Sequence, residues 1–170
     1  MGQGSSSGTK TFAAWVEPVA EHLRAAREDV LSFARSAPTD LWERPSGTGA
    51  WTCKDLLAHI GKGNDQILQK LLRMVVDGAQ IDTSIFAADV DEANAREVAA
   101  RRQQSADDVI AELEDAGNEI LHLLSQLGEE HEHLNQKEPP FILKGFLQFV
   151  VKEDHDREHL AQLRAATEHP

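Results

Sequence analysis

The sequence has no tyrosine, one cysteine, 5% aromatic residues and few basic residues, 17 against 29 acidic. Each scarcity excludes something. Cys53 alone cannot form an intramolecular disulfide, and its isolation fits a reducing compartment, so a cytoplasmic location is expected. No apolar run approaches the roughly 18 residues of a membrane span, and the opening MGQGSSSGTK lacks the apolar stretch of a signal peptide. That opening also fits the M-G-x-x-x-S pattern of N-myristoylation; the preferred reading is a loose Gly/Ser tail or tag over residues 1–9. Nucleic acid is engaged through clustered Lys and Arg. With a net charge of −12 and Arg101-Arg102 as the only adjacent basic pair, neither nucleic acid nor an acidic membrane is an expected partner.

What is present points to helices. Hydrophobic residues make up 41% and charged residues 27%, as in ordinary soluble domains. Ala and Leu recur, which leans helical, and 170 residues suffice for one domain with a real core, taken as 10–170. Val19, Leu23, Ala26, Val30 and Phe33 form one stripe at spacings of three and four. Pro18 either opens that helix or kinks a longer one beginning near Lys10, and a loop follows over residues 39–50. Thr52 and Asp55 make a capping box for a second helix, whose apolar face runs from Leu56 to Leu72 and which ends at Asp77-Gly78. A long connection, residues 79–104, contains a shorter helix over about 89–102, with Val90, Asn94 and Val98 on one face. Ser105 and Asp108 cap a third long helix with the stripe Val109, Leu113, Ala116, Ile120, Leu123, Leu127. An acidic loop, 129–140, leads to a last helix from about 141 or 144 to 166. Nothing reads as a strand. The expected fold is all-α: a four-helix bundle with a long connection and a short extra helix between helices two and three.

The last helix carries His155-Asp156-Arg157-Glu158-His159. Histidines at i and i+4 stand on one helix face about 5–6 Å apart, close enough to converge on one ion. Alone, such a pair is commonly a solvated surface pair. At 100° per residue, however, these two border the apolar face between Val151 and Leu160–Leu163. His59, flanked by Leu56 and Ile60, sits at the edge of its own stripe beside Gly63, whose missing side chain would leave room for an ion or ligand.

The stretch Trp51-Thr52-Cys53-Lys54-Asp55-Leu56-Leu57-Ala58-His59 resembles the W-T-x-K-D-L-L-x-H signature that opens the second helix of DinB-like proteins. That superfamily includes the mycothiol-dependent maleylpyruvate isomerases and the bacillithiol transferases. The H-x-x-x-H of its last bundle helix matches His155 and His159, about 95 residues on, and the segment 89–98 with Asn94 resembles the helix many relatives carry between helices two and three. The resemblance implies a DinB-like bundle in which His59, His155 and His159 ligate one divalent metal, usually zinc or nickel, with water completing the shell. Three neutral imidazoles with an open position suit a catalytic ion, and an open position can lower the pKa of a bound thiol or water. The implied activity is a metal-dependent thiol (S-)transferase or isomerase that uses a low-molecular-weight thiol on a small electrophilic substrate. The implied assembly is a homodimer.

The neighbours have plainer readings beside the functional ones. Asp55 could orient His59, although its capping role already accounts for it. Asn94 is a buried polar anchor or a substrate contact. Trp51 packs over the start of its helix and covers one side of the site. Asp156 and Glu158 point off the histidine face into solvent. Cys53 lies where a helix dipole would lower a thiol pKa, but reads as a small packed residue, and His131 and His133 belong to the acidic loop. Three readings therefore compete: a thiol-using metalloenzyme, a non-catalytic metal-holding bundle that sequesters a small molecule or toxin, and an interaction module with structural histidines. Keeping three unpartnered imidazoles near an apolar interior weighs against the last.

Overall fold

Amphipathic stripes dictate which faces the helices bury, and a proline or a capping box opens three of them. A computed structural model describes residues 11–62, 64–86, 90–138 and 140–168 of the chain. Pro18 opens α1 (Glu17–Ser36) in its first turn, where a missing N–H goes unnoticed. The Thr52 box forms as expected: the Asp55 N–H donates to Thr52 Oγ1 and the Thr52 N–H to Asp55 Oδ2, both 3.1 Å, at the start of α2 (Cys53–Lys62). α3 (Asn64–Val76) follows, then a 3-10 turn at Thr83–Phe86 and α4 (Val90–Arg101). The Ser105–Asp108 box opens α5 (Ala106–Leu124). The expected tail over residues 1–9 and Gly63 both lie outside the described residues.

Two features depart from the sequence reading. Within the expected loop 129–140 and beyond it, β1 (Asn135–Lys137) pairs antiparallel with β2 (Pro140–Ile142), Gln136 opposite Phe141. Three residues per strand are too few to show an alternation in the sequence. Yet Phe141 is buried between exposed neighbours, and the Gln136 side chain replaces a missing ladder by bonding both the N–H and the C=O of Ile81, at 2.7 and 2.9 Å. The second departure is in the last helix, which is two: α6 (Leu143–Glu153) and α7 (His155–Glu168). Asp154 between them adopts φ 46°, ψ 43°, a left-handed conformation uncommon outside glycine, asparagine and aspartate. Val151 consequently belongs to a different helix from the histidine pair, and one helical wheel does not run through both.

α5 is the central element, packed by α1, α2 and α3, while α7 lies against α1 and α2, and α4 against α2. Where α2 meets α5, a Cβ on Gly61 would stand 3.3 Å from the Leu113 Cα, so the glycine permits a close backbone approach. The apolar interior forms two clusters. One gathers Val16, Val19, Leu71, Leu72, Ile120, Leu124, Leu143 and Leu147; the other gathers Val30, Leu31, Leu41, Leu56, Leu57, Ile60, Leu113, Leu160 and Leu163. On α1 the change from one cluster to the other falls at Arg27 and on α5 at Gly117, and Asp65 near the start of α3 and Asp156 near the start of α7 meet Arg27 at that boundary.

Candidate metal centre

That boundary is a buried ion network. Arg27 is 8% exposed and Asp65 6%. The Arg27 Nε donates to Asp156 Oδ2 at 2.8 Å, its Nη2 to Asp65 Oδ2 and Oδ1 at 2.9 and 3.1 Å, and its Nη1 to the Leu113 carbonyl at 2.8 Å. A Cβ at Gly117 would sit 3.1 Å from the Arg27 Cγ, so this glycine makes room for the side chain. Burial alone would lower the Arg27 pKa, but Asp65 and Asp156 hold the guanidinium firmly charged. Burial pushes the Asp65 carboxyl up to about 6, against the opposing pull of Arg27. Asp156 is therefore not solvated, as its place on the helix suggests, because α7 turns that flank toward α1. Glu158 is exposed, as expected.

One residue away on α7 begins the histidine group. His59, at the end of the second turn of α2, is buried among the residues of the second cluster. His155, the first residue of α7, and His159, one turn on, approach it half-buried. The His155 Nε2 lies 3.1 Å from the His59 Nε2 and 3.0 Å from the His159 Nε2, and one ring nitrogen from each of the three lies within 4.8 Å of the others. Ring centroids are 4.3–5.0 Å apart, with planes steeply inclined at 69–88°, so the rings converge edge-on rather than stack.

An imidazole nitrogen has one in-plane direction, holding either a proton or a lone pair. The His155 Nε2 faces two nitrogens and can satisfy only one by hydrogen bonding. A cation at the centre accepts a lone pair from all three. Metal–nitrogen bonds of about 2.0–2.1 Å in a tetrahedral shell place ligand nitrogens about 3.3–3.4 Å apart, close to the 3.0 and 3.1 Å seen. Protonation states agree. Burial first, then His155 and His159, bring the His59 pKa down to about 3, and burial likewise lowers His159. His59 and His159 are thus held toward the neutral form, the state metal binding needs. This group could hold a metal ion.

The other residues singled out in the sequence have definite places around this group. Trp51 lies beside His59, ring centroids 5.1 Å apart, and covers that side of the group. Asp55 is occupied by the α2 cap and by Arg102 at 3.7 Å; it is not the partner of His59 Nδ1, which has no hydrogen bond among the described residues. Asn94 is half-buried on α4. Cys53 is fully buried and its thiol pKa is raised by burial, as befits a packed residue. His131 accepts the Gly128 N–H at 3.0 Å and has a local structural role. Sequence reading missed Gln162, whose Oε1 meets His159 Nδ1 at 2.8 Å and accepts from Thr48 Oγ1 at 3.3 Å. A carbonyl on Nδ1 fixes the tautomer that leaves Nε2 a lone pair. The i, i+3 spacing of His159 and Gln162 was the available signal.

The family model of the DinB superfamily matches residues 22–163, and the chain belongs to that superfamily. Its DinB-like helical bundle agrees with the solved structure of an uncharacterised protein from Escherichia coli UTI89, at TM-score 0.71 and 14% identity over 96% of both chains. That likeness speaks to the fold. A comparison with curated proteins gives no match. No helix among the described residues is long and apolar enough to cross a membrane.

Proposed function

We propose that His59, His155 and His159 hold one divalent ion, zinc or nickel, and that the protein uses it to transfer or isomerise with a low-molecular-weight thiol acting on a small electrophile. The convergence of the three Nε2 atoms carries this reading. When bound, such an ion supplies a Lewis acid that lowers the pKa of a thiol at neutral pH. The chain's own residues do the rest: Gln162 sets the His159 tautomer, Trp51 shields one side from water, and Arg27 fixes α7 through Asp156. In the transfer reaction the sulfur of the thiol attacks the electrophilic carbon, a carbon–sulfur bond forms, and the leaving group departs with the thiol's proton.

One observation favours a second reading, a metal-holding bundle that binds a small molecule without converting it. The carboxylate nearest the histidines, Asp156, stands 4.0 Å from His155 Nδ1 and is committed to Arg27, leaving it poorly placed as a base. Metal-loaded protein, offered a panel of cellular thiols with 1-chloro-2,4-dinitrobenzene or monochlorobimane, separates the two. The proposed activity predicts thiol-dependent product formation that disappears in His59→Ala. Absence of turnover with every thiol, with metal retained, overturns the enzyme reading in favour of the binder.

A further inference from the structure

A cavity of about 420 Å3 lies beside the buried ion network, lined from α1, α3, α5 and α6 and by the first residues of α7. It is distinct from the space between the three Nε2 atoms: of the three histidines only His155 borders it. Leu23, Leu68, Ile120, Phe146 and Val150 give it apolar walls, and Phe146 sits against Phe86, centroids 5.3 Å apart. This volume and lining are those of sites for small organic ligands.

The charges choose among such ligands. An anion would look first to Arg27, but its three nitrogens are already engaged by Asp65, Asp156 and the Leu113 carbonyl. Two carboxylates share that one guanidinium, so the buried network carries an excess of negative charge. Around the mouth stand the exposed Glu28 on α1 and Glu153 at the end of α6, neither in an ion pair among the described residues. Seven carboxylates line the cavity; Arg24 and Arg27 line it too, Arg35 reaches Glu114 and Arg157 reaches Asp154, so the lining keeps a net negative charge. Low-dielectric walls concentrate that field.

We propose that this cavity binds a small organic cation, an apolar or aromatic body bearing an amine, independently of the three-histidine group. The body lies along Leu68, Ile120, Phe146 and Val150, displacing water from apolar surface, and the ammonium stays at the mouth between Glu28 and Glu153. A carboxylate of the same shape is repelled, and a neutral analogue gains the apolar contact alone.

Three probes of one shape test this on the full chain by calorimetric titration at low ionic strength: 4-phenylbutylamine, 4-phenylbutanol and 4-phenylbutyrate. The amine is expected to bind at least tenfold more tightly than the alcohol, with the butyrate weakest, and the amine's advantage to shrink in salt. Exchanging both rim carboxylates, Glu28→Gln with Glu153→Gln, removes the amine's advantage and leaves alcohol binding in place. Val150→Trp, filling the cavity, abolishes binding of all three. His59→Ala binds the amine as the parent does, which keeps this result separate from the fate of the metal centre. The proposal is overturned if butyrate binds as tightly as the amine, if the rim variant keeps the amine's preference, or if no probe binds at millimolar concentration.

Discussion

Replacing Arg27 by methionine removes one side chain that joins four helices. The change leaves Asp65 and Asp156 facing each other in a buried layer and strips the Leu113 carbonyl of its donor. Breaking a buried pair by deleting one partner costs about 3–5 kcal/mol, a large part of the roughly 5–15 kcal/mol that holds a domain together. At about 2–4 °C per kcal/mol for a chain of this size, the melting temperature at pH 8 falls by about 6–20 °C. Acid narrows the gap. The Asp65 pKa in the folded protein is raised by burial from 3.8 to about 6, so its contribution is fully present below 3.8 and is lost as pH rises through about 6. Without Arg27 the same carboxyl is pushed higher still, so the variant loses more than the parent between pH 5 and pH 8. Scanning calorimetry of both proteins at the two pH values measures this directly. A loss under 1 kcal/mol at pH 8, or an equal loss at both pH values, refutes the reasoning. Adding Asp65→Asn to the methionine variant restores part of the lost stability.

Three further outcomes follow from the geometry. Gly61→Ala sets a methyl 3.3 Å from the Leu113 Cα, where backbone must yield; overpacking of this kind costs about 1–3 kcal/mol, read as a lower urea midpoint. Gln162→Ala frees the His159 tautomer and weakens metal affinity about 10–100-fold in a chelator-competition titration, with little change in melting of the metal-free chain. The His59 pKa is depressed by burial from 6.5 to about 3, so its contribution to metal-free stability is present above 6.5 and is lost as pH falls toward 3. Urea midpoints of the metal-free parent should decline over that window more steeply than those of His59→Leu.

The bundle was legible because its signals are local. The Thr52–Asp55 and Ser105–Asp108 boxes, Pro18, and stripes at three and four residues each specify structure within a few positions. His59, His155 and His159 were legible through spacing and a short motif, and the structure brings them together. What escaped depends on distant partners. Arg27 meets Asp65 and Asp156 across 38 and 129 positions, and nothing on the α7 wheel marks Asp156 as buried. The break at Asp154 escaped for a related reason. Aspartate tolerates a left-handed backbone, but what holds it there includes His22, 132 positions away, at 3.2 Å. Three-residue strands carry too little pattern to be seen.

The central claim is a single ion shared by two distant parts of the chain, and metal content measures it most directly. Tag-free protein, loaded with zinc or nickel and desalted, is analysed by mass spectrometry beside His59→Ala and His155→Ala. About one equivalent in the parent and none in either variant is the predicted result, because removing one of three ligands from α2 or from α7 dismantles the same site. Equal metal in all three proteins, or none in the parent after loading, would contradict it.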